Sequence, residues 1–199
     1  LMISNHIETK CGAISETTYD FIITRTKYFN YDEGNKVIDK IYKFKTQDIS
    51  HCNYVKQIVN WLTYDTCIKA KLAKSIRFNE ELTSGQEYNY FAKLTLESSN
   101  ALFLNEIVTH RRHHTISIQA NLKINKRASV RGFYNVFWKT YLDIKFKAPK
   151  CSKRNLVFKC YRLVIKHPFL KKEQNMTALG KSLIKEFNIK GFYYWLKLI

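Results

Sequence analysis

From Val130 to Leu142, seven apolar side chains (Val130, Phe133, Tyr134, Phe137, Trp138, Tyr141 and Leu142) recur at i, i+3, i+4 and i+7. That spacing lays one stripe along a 3.6-residue period, whereas the twofold period of a strand would scatter it over both faces. Arg131, Asn135, Lys139 and Asp143 fall on the other side. Such a helix must bury its stripe, and the sequence downstream supplies partners. Ala148-Pro149-Lys150 ends the helix or links it onward. Leu156, Cys160, Leu163 and Val164 then define a second apolar face, with Lys159, Arg162 and Lys166 opposite. His167-Pro168 breaks that helix, and Thr177 caps a weaker third one carrying Leu179, Leu183, Ile184 and Phe187. Gly191 precedes a final aromatic stub, Phe192-Tyr193-Tyr194-Trp195.

The chain before residue 121 has a different pattern. Residues 1–18 are polar with little period and read as a helix remnant or loop. Tyr19 to Arg25 is a short apolar run of the buried-strand type. Tyr31-Asp32-Glu33-Gly34-Asn35 is a turn signal, and Val37 to Lys45 alternates like a second strand or hairpin arm. Asp48 to Leu62 reads as a helix with Val55, Ile58, Val59 and Leu62 on one face, and Thr66 to Ala73 as an amphipathic helix. The expectation is an α/β domain over 1–120 followed by a helical extension over 121–199.

The two parts differ in charge. Residues 121–199 hold 19 Lys or Arg against three acids (Asp143, Glu173 and Glu186), a net +16, whereas residues 1–120 hold 15 against 13. The basic character therefore belongs to the C-terminal part, and it predicts an anionic partner surface there. With 45% apolar residues the chain should fold rather than stay disordered. Five scattered cysteines with no CxxC pair read as buried free thiols of a reducing compartment, although Cys151 and Cys160 could pair. No apolar run reaches the roughly 20 residues of a spanning helix, and no signal peptide is visible. The opening residues, Leu1-Met2, read like the middle of a longer chain.

Arg77 to Leu96, RFNEELTSGQEYNYFAKLTL, reads as an acidic loop running into a helix. Ser84 suits an N-cap, Glu87 lies three residues on, and Tyr90, Phe91 and Leu94 supply an apolar stripe. By spacing alone, Ser84 and Glu87 also fit a capping box with no further role.

Phe78-Asn79-Glu80-Glu81-Leu82, then Gly85-Gln86-Glu87, then Phe91 and Leu94, resembles the acceptor-side motif of family 2 glycosyltransferases. Ala101 to Ser117, an apolar run followed by Arg112, His114 and Ser117, is similar to the strand and "Y-R-x-H-x-x-S" element that follows in that family. Asp20-Phe21-Ile22-Ile23 and Thr66 to Ala73 are similar to two shorter family segments, the latter lying beside the acceptor pocket in relatives. The resemblance covers roughly residues 15–120. It implies a partial GT-A (Rossmann-like) half-domain and an inverting transfer of sugar from a nucleotide-sugar donor to a hydroxyl of a glycan or lipid-linked acceptor.

In that scheme Glu87 is the general base, with Gly85, Gln86, Thr66 and Arg112 binding substrate and His114 meeting the metal. A carboxylate takes the acceptor proton as the oxygen attacks the anomeric carbon. A cation near the diphosphate neutralises the leaving group. The family pairs Glu-Asp where this chain has Gln86-Glu87, so the carboxylate is moved by about one C–C bond, ~1.5 Å. The family also implies a divalent cation, Mg or Mn, on an Asp-x-Asp motif, and no Asp-x-Asp occurs here. The expectation is thus an acceptor-side fragment lacking the donor-binding half and inactive alone. It would be cytoplasmic and peripheral at the inner face of the cell membrane, with residues 121–199 on anionic lipid.

Read without the family, Arg112 and His114 are part of a basic strand end, and adjacent histidines on a strand point to alternate faces and do not form a zinc site. The rival reading is a basic nucleic-acid-binding or non-catalytic module, set by a pI near 9.7 and many aromatics. Against nucleic acid, the aromatics sit at core spacing and no RNP, KH or zinc-finger pattern is present.

Overall fold

The structure, a computed structural model, describes residues 4–29, 41–112 and 125–198. It is mixed α/β, with a small three-stranded sheet followed by helices. Among the described residues no helix is long and apolar enough to cross a membrane. The chain forms two compact units, Leu1–Arg77 with Leu94–Ser117, and Phe78–Lys93 with Ile118–Ile199. Residues 78–93 thus belong to the second unit.

In the first unit the sheet has the order β2-β1-β3, with β1 Phe21–Phe29, β2 Thr66–Ile68 and β3 Ala101–Arg112. β1 pairs antiparallel with β2 and parallel with β3. As the middle strand it is covered on both faces, and Phe21, Ile22, Ile23 and Thr24 are all 0% exposed. Burial on both faces is why this segment is a continuous apolar run without alternation. Phe44, Tyr54 and Trp61 close the core around Phe21, with the Tyr54 and Trp61 rings 4.6 Å apart.

Three elements of this unit depart from the sequence reading. Residues 6–15 form a full helix, α1 His6–Ser15. Its buried residues are His6 and Lys10, so it carries no apolar period to detect. The long helix over 48–62 is only α2, His51–Lys56, opened by the Ser50 side chain accepting from Asn53 N–H. Gln57 adopts a left-handed conformation (φ 64°), and the Ile58 N–H returns to the Asn53 carbonyl, a Schellman-type close. Ile58 is consequently exposed. Thr66 to Ala73 divides into β2 and a short helix, α3 Ala70–Lys74. The expected turn at 31–35 and residues 37–40 of the expected arm lie outside the described residues, and Ile41 to Lys45 contains no strand.

The second unit is helical. α4, Gln86–Glu97, begins in it, followed by α5 Lys126–Ile144 and α6 Lys150–Lys166. A single turn, α7 Leu170–Glu173, leads to α8 Met176–Phe187 and α9 Ile189–Leu196. Tyr134, Tyr141, Leu156, Cys160, Val164, Leu179 and Leu183 are among its buried side chains. Phe133, expected in the α5 stripe, is 55% exposed, while Val136 and Thr140 are buried instead. Arg127 and Arg131 of α5 both pair with Glu173 at 2.8 Å. The expectation of free thiols holds for Cys11, Cys67 and Cys160, of which only Cys160 is fully buried. Cys52 and Cys151 are disulfide-bonded and depart from it.

Candidate functional site

Gly85 delivers the chain into α4. Its φ of +69° lies in the left-handed region that favours glycine, and a Cβ there would collide with one methyl group of Val136 on α5 and crowd the other. The first helical turn is set by Asn89 N–H donating to the Gly85 carbonyl at 3.2 Å. Gln86, although exposed, folds back, its Nε2 donating to the Leu82 carbonyl. Glu87 is exposed in the first turn, and among the described residues its carboxylate makes no hydrogen bond or ion pair. The capping box that the spacing allows is therefore not formed, since the Ser84 hydroxyl also has no hydrogen-bond partner there. A carboxylate so placed can accept a proton from a hydroxyl brought within hydrogen-bond reach.

Behind Glu87 the helix is tied down. Asn89 is 0% exposed and donates to Asp143 Oδ2 at 2.8 Å and to Thr140 Oγ1 at 3.2 Å. Asn79 also donates to Asp143. Tyr88 meets Phe137 edge-on at 5.7 Å. The Lys159 ammonium lies 4.7 Å from the Phe137 ring centre and 5.6 Å from that of Tyr88. Burial lowers its pKa from 10.5 to about 8. Lys159 thus occupies an aromatic slot beside the first turn of α4, not the solvated basic face its spacing predicts. Nothing in a lysine at an expected surface position signals that.

Of the other expected site residues, Thr66 and Arg112 lie in the first unit. Thr66 opens β2, opposite Ile23, and its hydroxyl donates to the Thr63 carbonyl in a local turn. Arg112 ends β3, opposite Phe29. Ile23 to Phe29 spans roughly 20 Å of strand at ~3.3 Å per residue, so the backbones of Thr66 and Arg112 stand that far apart along β1. His114 lies outside the described residues.

One buried polar cluster escaped the sequence reading. Asp65 is 0% exposed, and its carboxylate accepts from Thr26 Oγ1 (2.6 Å), Tyr42 OH (2.8 Å) and Leu62 N–H (2.8 Å). Lys10, 3% exposed, donates to the Tyr64 carbonyl at 2.5 Å. Burial raises the Asp65 pKa against the pull of its three hydrogen bonds, and burial lowers that of Lys10. Every oxygen of this carboxylate is engaged, so the cluster locks β1 to the turn before β2 and offers no free group for chemistry. Asp65 sits in Thr63-Tyr64-Asp65-Thr66, which by sequence is an ordinary polar turn.

Among the described residues no three His, Cys, Asp or Glu converge on a point where a cation could sit. The sequence also carries no Asp-x-Asp, the motif on which the family resemblance implies a divalent cation. No family model, no curated protein and no solved structure matches the chain.

Proposed function

We propose that this chain is the acceptor side of an inverting, nucleotide-sugar-dependent glycosyltransferase, with Glu87 as its general base. One observation carries the reading: an exposed carboxylate in the first turn of α4, free of partners among the described residues, on a backbone that Gly85 fixes. Two features support it further. The order of β1, β2, the Gly85-Gln86-Glu87 turn and β3 follows the order of the family segments they resemble. The polar contacts of Asn89 and Asn79 hold the helix start without using Glu87. In the reaction Glu87 takes the proton of a glycan or lipid-linked hydroxyl as the oxygen attacks the anomeric carbon. The nucleoside diphosphate leaves from the opposite face. These 199 residues carry no Asp-x-Asp, so donor and cation would be held by residues supplied from elsewhere.

The test uses the acceptor, which this half would bind by itself. Backbone-amide NMR shifts are followed while a panel of oligosaccharides is added to the chain. Shifts concentrated on residues 84–90, with Glu87→Gln weakening one sugar selectively, are expected. If no sugar moves those amides at millimolar concentration, the acceptor reading is lost. With a donor-holding partner supplied, Glu87→Gln should lower turnover on the order of 10²–10⁴-fold, the usual contribution of a positioned base.

A further inference from the structure

The C-terminal hairpin of α8 and α9 has an apolar face that nothing among the described residues covers. α9 turns Tyr194 onto Phe158, Tyr161 and Phe187, and Gly191 packs so closely on the Leu183 carbonyl that no Cβ fits. The opposite side presents Ile189, Phe192, Tyr193 and Leu196, which are 89%, 49%, 54% and 53% exposed. Their spacing is i, i+3, i+4 and i+7, so they form one stripe along the helix. Lys181, Lys185, Lys190 and Lys197 of the same hairpin are all exposed. Glu186 is the one acid in residues 174–199 and is 3% exposed, accepting from Tyr141 OH. At the hairpin turn a cavity of about 480 Å³ is lined by Arg154, Phe187, Asn188, Ile189, Lys190 and Tyr194. Arg154 spends its Nε on the Glu186 carbonyl (2.7 Å), leaving its two terminal nitrogens with no acceptor among the described residues.

We propose that this hairpin docks on an anionic phospholipid surface, with Ile189, Phe192, Tyr193 and Leu196 at the acyl boundary and Arg154 with Lys190 receiving a lipid phosphate in the cavity. The arrangement selects this occupant. A helix of eight residues, about 12 Å long, lies in the interface rather than spanning it. Tyrosine with lysine beside it suits the headgroup level, and the Lys197 ammonium is 4.5 Å from the Tyr193 ring centre. Phe192 and Tyr193 could stack on bases, but Ile189 and Leu196, at the two ends of the stripe, have no ring and suit an acyl boundary better than a nucleic acid. Among the described residues Lys181, Lys185, Lys190 and Lys197 pair with no acid, which matches a sheet of negative headgroups.

The inference does not rest on glycosyl transfer, because its assay reads partition alone. The full chain is sedimented with phosphatidylcholine vesicles with and without phosphatidylglycerol. Wild type should pellet only with the anionic vesicles. Lys190→Gln and Arg154→Gln should each weaken partition roughly fivefold. Ile189→Ser with Leu196→Ser should weaken it by about tenfold or more, since both exposed side chains lose their apolar burial. Unchanged melting curves for Lys190→Gln and for the Ile189/Leu196 pair separate lost docking from lost folding, whereas Arg154→Gln also loses its bond to the Glu186 carbonyl and is read against its own melt. No partition of wild type, or partition indifferent to the Ile189/Leu196 pair, would overturn the proposal. So would release by single-stranded RNA that depends on the cations but not on the apolar pair, which would make the face a nucleic-acid site.

Discussion

Gly85 and Val136 are fitted to each other: the glycine turns left-handed at φ +69°, and the space its side chain would take is filled by the valine methyls. Gly85→Ala therefore meets two penalties at once, a backbone conformation that an L-residue resists and an overpacked contact. Together they should destabilise the chain by roughly 2–4 kcal/mol, read as a drop in the urea midpoint. Adding Val136→Ala relieves the contact but not the backbone. The double variant should then be less destabilised than the sum of the two single ones. Strict additivity would mean the two residues do not share this space.

Glu87 separates folding from chemistry. Exposed and without a partner among the described residues, it holds nothing in place, and its loss removes only its favourable position at the helix start. Glu87→Gln should change stability by less than about 1 kcal/mol. Thermal melts of the variant and wild type should nearly superimpose while sugar binding or turnover falls. A large loss of stability would make Glu87 a structural residue and withdraw it as the base.

The parts of this protein that the sequence made visible are those where burial and period coincide. Phe21 to Thr24 reads as a strand because it is buried on both faces, and α4 and α6 read as helices because Tyr90, Phe91, Leu94, Leu156, Cys160 and Val164 point inward. Elsewhere polar groups do the packing. α1 is anchored by His6, bonded to the Val108 carbonyl at 3.0 Å, and by Lys10, so a search for apolar spacing passes over it. α2 ends early because Gln57 turns left-handed, which no residue type there announces. At the candidate site the helix start and its glycine were legible. The Asn89–Asp143 link was not, because it joins residues 54 positions apart. The same holds for Lys159 in its aromatic slot.

Asp65 is where the first unit should be most sensitive to a change of two atoms. Its oxygens face three donors, and Asp65→Asn replaces one acceptor oxygen by an N–H₂ group. At least one of Thr26 Oγ1, Tyr42 OH and Leu62 N–H is then left without an acceptor or opposed by another donor. The expected loss is about 2–4 kcal/mol, from stranding a buried donor and weakening bonds to a charged group. Thr26→Val deletes a single one of these bonds and should cost about 1–3 kcal/mol. Equilibrium denaturation of the two variants gives the ranking, and an Asn variant as stable as wild type would show that the network is dispensable.

Lys159 should be the anomalous lysine of the chain. Burial between Tyr88 and Phe137 favours its neutral amine, and its pKa falls from 10.5 to about 8. Below about pH 8 the native state holds a charged, partly desolvated ammonium. Between about 8 and 10.5 the unfolded chain binds this proton while the native chain has released it, so this group makes the protein more stable as pH rises through that window. Its neighbour Cys160 acts in the opposite sense, because burial raises the thiol pKa and the unfolded chain ionises first. Lys159→Met isolates the lysine: the stability of wild type relative to this variant should increase from pH 8 to 10.5. In carbon-detected NMR one lysine Cε should titrate near pH 8 in wild type and be missing from Lys159→Met. If every lysine titrates above about pH 10, the amine is solvated and does not occupy the aromatic slot.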